Sequence, residues 1–167
     1  MDRRIRAVIE HEAIERRLHE TGGSLFGWEV DEHVFVACAS GPGPGAKHRP
    51  RSFAPAPSAV AEVMERVRDV SHGRYGYVGS WHTHPCGAAS PSGTDTGTAE
   101  AMAEQTDLML PRPLLLILST TGTARRVRLG ELCAWRWQPG KRLKLTPIED
   151  MQLQERYCPA AELLFAA

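Results

Sequence analysis

Tyr77-Val78-Gly79-Ser80-Trp81-His82-Thr83-His84-Pro85 is followed, after the six residues Cys86 to Pro91, by Ser92-Gly93-Thr94-Asp95. Side chains along a strand alternate between faces, so His82 and His84 share one face while Trp81 and Thr83 enter the opposite layer. Two imidazoles at that spacing can both reach one ion at the ~2.0–2.1 Å that zinc requires. Pro85 has no N–H for a ladder and ends the strand, which leaves the pair at its end. Taken alone, the pair is equally two ordinary strand-end histidines. The segment from Ser92 has the form of a helix start, with Ser92 at the N-cap and Asp95 in the first turn, near the positive end of the helix dipole. Capping accounts for Asp95 by itself. The same geometry also lets it give an oxygen as a third ligand, with a fourth tetrahedral position left for water, as catalytic zinc sites require.

Working outward, Tyr75 to His84 reads as the strand that carries the pair, and Ser92 to about Thr106 as the helix behind it. Upstream, Ser58 to Val70 is a helix with Val60, Val63, Met64 and Val67 on one side and Glu62, Glu65, Arg66 and Arg68 on the other. Ser40 to Pro57, rich in Gly and Pro, is a long loop with a short strand at Ser52 to Ala54. Ser24 to Trp28 and His33 to Ala39 pair as strands across the turn Glu29 to Glu32. Ile9 to His19 forms a short helix with a stripe of Ile9, Ala13, Ile14 and Leu18, broken by Thr21-Gly22-Gly23. Downstream, Leu114 to Thr120, Arg125 to Leu129 and Leu132 to Gln138 are consecutive strands, the first turn being Thr121-Gly122. Glu149 to Tyr157 is a last helix. Helices and strands are mixed rather than alternating, so the expected class is α+β.

The chain has 167 residues, room for one domain over 1–167 with a core at about 5–148 and a C-terminal extension over 149–167. Lys and Arg number 20, as do Asp and Glu, so the net charge is zero and the basic excess of a nucleic-acid binder is missing. The local runs Lys47–Arg51, Arg125–Arg128 and Lys141–Lys144 read as solvated faces or loops. No apolar stretch reaches the roughly 18 to 20 residues that span a bilayer, and Met1-Asp2-Arg3-Arg4 leads into no signal peptide. Cys38, Cys86, Cys133 and Cys158 are scattered without a C-x-x-C pair, which fits a reducing cytoplasm better than a disulfide scaffold.

The order His82-Thr83-His84-Pro85, six residues, Ser92-x-x-Asp95 resembles the JAMM motif of the JAB/MPN+ metalloproteases, in which a distant glutamate precedes H-[ST]-H-P and S-x-x-D. His19-Glu20-Thr21-Gly22-Gly23-Ser24-Leu25-Phe26-Gly27 resembles the prokaryotic form of the glutamate segment. With Gly41-Pro42-Gly43-Pro44 upstream, the chain looks most like the bacterial branch found beside E1- and E2-like proteins, including deconjugating peptidases of antiviral operons of the CBASS and Bil types. The resemblance covers Ile9 to about Leu118. It implies a JAB/MPN (cytidine-deaminase-like) fold, a curved mixed sheet flanked by helices with the metal at one sheet edge. It implies His82, His84 and Asp95 as ligands of one zinc ion per chain, Glu20 as general base and Ser92 as support for the oxyanion. The implied activity is hydrolysis after the C-terminus of a ubiquitin-like protein, with its conjugates or precursor as substrate and E1- and E2-like proteins as partners. No nucleic acid or membrane enters.

Cys86 departs from the usual pattern and offers either a further thiolate for the metal or a bystander thiol. Glu20, without the family pattern, reads as a solvated glutamate at a helix end. Two other functions stay open: a peptidase that processes a sulfur-carrier protein, and a non-catalytic MPN scaffold that keeps the fold without the chemistry. The filled ligand positions argue against the scaffold. A metal at a strand end beside a loop is also expected to leave an open sheet edge where a protein tail adds as a strand, with the Ser40–Pro57 and Pro85–Pro91 loops, mobile by composition, as its walls.

Overall fold

Ile5, Ile9 and Ala13 recur every fourth residue along helix α1 (Arg3–Arg16) and are all buried. The computed structural model to which this helix belongs describes residues 3–140 and 145–147. The expected helix at Glu149–Tyr157, the extension 149–167, the Lys141–Lys144 run and Cys158 lie outside the described residues. Helix α1 begins before the expected start at Ile9, and Ile14 is 48% exposed because it lies off the buried stripe. It ends at Arg16, where Arg17 turns into the left-handed region (φ 57), and Gly22-Gly23 belongs to the next strand instead of breaking the helix.

Strands β1 (Gly22–Val30) and β2 (His33–Ala39) pair antiparallel with Val30 opposite His33, which tightens the expected turn to Asp31-Glu32. Asp31 takes a positive φ of 54°, which aspartate tolerates better than most residues. The long loop contains a hairpin, β3 (Lys47–Arg49) with β4 (Ser52–Ala54), the second strand falling where expected. Helix α2 (Pro57–Val70), strand β5 (Gly76–Pro85) and helix α3 (Gly93–Glu104) follow, then a short 3-10 turn at Thr106–Leu108. Strands β6 (Leu114–Thr123), β7 (Arg126–Trp137) and β8 (Leu145–Pro147) complete the described chain. The two strands expected over Arg125–Leu129 and Leu132–Gln138 are one. A register shift opposite Leu118–Thr120 absorbs the irregular Gly130-Glu131, and the Ser119 hydroxyl accepts the Glu131 N–H at 2.9 Å. The turn falls at residues 124–125, since Thr123 still pairs with Arg126.

The main sheet runs β2-β1-β5-β6-β7-β8, antiparallel throughout except for the parallel β5–β6 pair. It curls so that Glu29 on β1 meets Arg136 on β7 at 2.5 Å, although two strands lie between them. The Glu29 carboxylate also takes Arg112, closing the curl at that end. One face packs Ile5, Ile9 and Ala13 of α1 against Leu25, Trp81, Leu116 and Leu118. On the other face α2 covers Phe26 and Cys38 with Val67, while α3 covers Leu115 and Ile117 with Ala99. An α+β fold with a curved mixed sheet is therefore what the chain forms. The His strand β5 is third in the order and flanked on both sides, so the expectation of a site on a sheet edge is corrected. The histidines sit at the C-terminal end of an interior strand, where β1 begins opposite His82. Among the described residues no helix is long and apolar enough to cross a membrane, and Cys86 and Cys133 are free thiols.

Candidate metal centre

Helices α2 and α3 lie side by side on one face of the sheet and leave a cleft of about 1120 Å³ between them, floored by β5. Strand alternation decides what enters it. Trp81 and Thr83, each 1% exposed, go into the α1 layer, where the Trp81 indole N–H reaches the Ser40 carbonyl at 2.8 Å. His82 and His84 face the cleft. Side chains on Gly22 or Gly23 would collide with the Trp81 and Ser40 carbonyls, so the glycines let β1 approach close beside the His strand.

Past Pro85 the chain turns sharply, with Cys86 at φ 57. The Cys86 N–H donates to the Thr120 carbonyl at 2.7 Å, and its thiol donates to the Gly122 carbonyl at 3.9 Å. The loop to Pro91 is pinned where its composition predicted mobility. The Trp135 indole donates to the Ala89 carbonyl at 3.0 Å, and Ala89 is buried. His84 Nδ1 lies 2.9 Å from the Ala88 carbonyl. A carbonyl only accepts, so Nδ1 carries the proton, and Nε2 is the nitrogen that faces Asp95 and His82.

Ser92 caps α3 as its sequence predicts, in a reciprocal box. The Ser92 N–H donates to Asp95 Oδ2 at 2.6 Å, and the Asp95 N–H donates to Ser92 Oγ at 3.2 Å. The box does not use up the carboxylate. Asp95 Oδ1 is 3.2 Å from His82 Nε2, Oδ2 is 3.5 Å from His84 Nε2, and the two Nε2 atoms are 2.9 Å apart. Among the described residues, His82, His84 and Asp95 form a group whose ligand atoms lie within 4.8 Å of one another, and Cys86 is not in it. Two imidazoles and a carboxylate facing one point, one ring held by its far nitrogen, suit a divalent cation of zinc's kind.

Burial pushes the Asp95 carboxyl up, but hydrogen bonds from His82, His84 and Ser92 outweigh it and hold the group well below the usual carboxylate range. Glu20 lines the same cleft, on the irregular stretch between α1 and β1. Burial raises its carboxyl, His82 and His84 oppose the rise, and the Asp95 charge adds to it. All five residues singled out in the sequence thus line one cleft. A second set of contacts uses backbone groups: the Ala88 carbonyl behind His84, and His48 and Thr83 at Glu20 and Thr21. Of these only Thr83 was legible, as an inward-facing residue.

Solved structures share this architecture. A Desulfitobacterium hafniense protein superposes with a TM-score of 0.62 at 17% identity, over 93% of this chain and 92% of its own. A Salinibacter ruber protein does so with a TM-score of 0.56 at 22% identity, over 95% and 93%. At these identities the likeness concerns the fold alone. A probable metalloprotease of Sinorhizobium fredii is 32% identical over 101 residues, 59% of this chain and 62% of the relative. A CD-NTase/cGAS isopeptidase of Enterobacter hormaechei subsp. hoffmannii is 27% identical over 111 residues, 64% of this chain and 59% of the relative. The chain thus spans about three fifths of the length of the curated relatives it matches. The family of prokaryotic homologs of the JAB domain matches residues 3–135, most of the chain and all five cleft residues. The chain belongs to this prokaryotic JAB family.

Proposed function

We propose that the protein is a zinc-dependent peptidase of the JAMM type that cuts the peptide or isopeptide bond after the C-terminus of a ubiquitin-like protein. The convergence of His82, His84 and Asp95 on one point, in a cleft shared with Glu20, is the observation that carries this reading. Zinc held by the three residues supplies a Lewis acid, which polarises a carbonyl and makes water nucleophilic near neutral pH. Glu20, its carboxyl raised by burial, takes a proton from the attacking water as the new C–O bond forms. It then returns that proton to the leaving amine as the C–N bond breaks. The Ser92 hydroxyl accepts from the Asp95 N–H and keeps its own proton to donate to the oxyanion.

An isopeptide bond as the target draws support from the relative named CD-NTase/cGAS isopeptidase, and a metal from the relative named metalloprotease. In this reading the modifier's tail lies extended beside the metal, between the Ser40–Pro57 segment and the Pro85–Pro91 loop. E1- and E2-like proteins of a bacterial antiviral conjugation system are its partners, and the cytoplasm its compartment. Incubating the zinc-loaded protein with a linear fusion and with a lysine-linked conjugate of a ubiquitin-like protein tests it. Zinc-dependent cleavage of either supports the peptidase, and the preferred one separates precursor maturation from deconjugation. Efficient hydrolysis of unrelated short peptides would show a general peptidase instead.

A further inference from the structure

Glu20 stands on a stretch that belongs to neither helix nor strand, and its backbone is held from two directions. From the hairpin side, its N–H donates to the Arg49 carbonyl at 2.8 Å, and His48 Nδ1 lies 3.0 Å from its carbonyl oxygen. That oxygen only accepts, so His48 Nδ1 is the donor. From the strand side, the Thr21 N–H donates to Thr83 Oγ1 at 3.0 Å, and the Thr83 N–H donates to the Thr21 carbonyl at 2.8 Å. Every backbone N–H and C=O of the Glu20-Thr21 pair is thereby engaged, and the carboxyl side chain is what remains to move. The His48 ring is itself seated: it lies tilted on Phe53, with ring centroids 5.4 Å apart, and Phe53 in turn closes over Gly22. Phe53, Arg51 and Pro50 of the same hairpin line the cleft.

We propose that His48 is a positioning residue for Glu20, and that the β3–β4 hairpin holds the general base in place as well as forming a wall for the substrate. One short element then meets the substrate on one side and fixes the proton acceptor on the other, so that seating the hairpin and aligning the base are a single event. The proposal rests on the reading of Glu20 as the base. A misplaced catalytic group loses rate without losing substrate affinity, which distinguishes positioning from contact.

The test compares His48→Leu, which removes the donor, with His48→Asn, whose side-chain amide can present an N–H in the place of Nδ1. Four quantities are measured: zinc content, kcat and KM on a ubiquitin-like conjugate, and amide hydrogen exchange at Glu20 and Thr21 by NMR. His48→Leu is expected to keep its zinc, to lose kcat roughly tenfold, the scale of a small misplacement of a reacting group, with a smaller change in KM. Exchange at the Glu20 amide should quicken. His48→Asn should recover kcat to within about threefold and restore protection. A raised KM with unchanged kcat and exchange would make the hairpin a substrate wall only and overturn the proposal. So would loss of kcat that Asn fails to rescue. If His48→Leu does not fold, Thr83→Val against Thr83→Ser repeats the comparison from the strand side. An inactive wild type would sink the peptidase reading while the exchange arm still decides whether His48 holds the Glu20 backbone.

Discussion

Glu20 and Asp95 are two carboxylates in one cleft, and their surroundings push them in opposite directions. Asp95 sits in the first turn of α3, hydrogen-bonded by its capping box and facing both histidines, and it stays an anion. Glu20 hangs from an irregular stretch and is half-buried, so burial favours its protonated form. A fixed anion suits a ligand, and a carboxyl whose proton affinity is raised suits a base; opposed environments of this kind separate roles that sequence alone leaves alike. The difference also lies in how each is held. Asp95 is fixed by local hydrogen bonds three residues apart, Glu20 by contacts with distant segments.

The comparison breaks most visibly at the metal. Asp95→Asn, or His82→Ala with His84→Ala, is expected to abolish stoichiometric zinc and all turnover, since the remaining protein ligands hold the ion poorly. Full zinc in the double histidine variant, read by elemental analysis, would show the site misassigned. Glu20→Gln should do the reverse: zinc and melting temperature are kept while kcat falls by about 10²- to 10⁴-fold, the usual worth of a general base. Activity retained within about threefold would remove Glu20 from the chemistry.

Ser92→Ala comes next in size. If Ser92 supports the oxyanion as proposed, the change should lower kcat more than it raises KM, because a hydrogen bond to an oxyanion strengthens in the transition state. It should also cost roughly 1 kcal/mol of stability through the lost cap. A lowered melting temperature with unchanged kcat would confine this serine to capping. The smallest effect sharpens the contrast directly. In metal-free protein the Glu20 carboxyl should titrate above the ordinary 4.5, since burial disfavours its charged form. Adding zinc should pull that midpoint down, because a nearby cation favours the carboxylate. An NMR titration of the carboxyl carbon reads both, and a midpoint that zinc leaves unmoved would put Glu20 too far from the metal to serve it.

Where a residue's partner is near in sequence, the reading from sequence held. Ser92 and Asp95 form the expected box, and α2 carries its apolar stripe as the spacing requires. The failures cluster where the partner is remote. Ile14 looked like core and lies exposed, because the wall that α1 packs against leaves out that side of the helix. Arg125–Leu129 and Leu132–Gln138 looked like two strands, because a bulge opposite Ser119 looks like a break when the partner strand is not in view. The Pro85–Pro91 loop looked loose by composition and is anchored at Ala89 by Trp135, 46 residues away in the chain.

By itself the sequence determined which side chains share a face. The two-residue period of a strand puts His82 and His84 together against Trp81 and Thr83, and a capped helix turn brings the Asp95 carboxylate back to Ser92. These are short-range consequences of backbone geometry, and they need no knowledge of the fold. Only the tertiary structure decided that the His strand lies inside the sheet, that Glu20 enters the same cleft, and that His48 and Thr83 hold its backbone. Those relations depend on the antiparallel pairing of β1 with β5, which brings Thr21 to Thr83 across 62 residues of chain. Strand order is set by the joint burial of α1, β1, β5 and β6 in one core, a property of the whole chain that no local period contains.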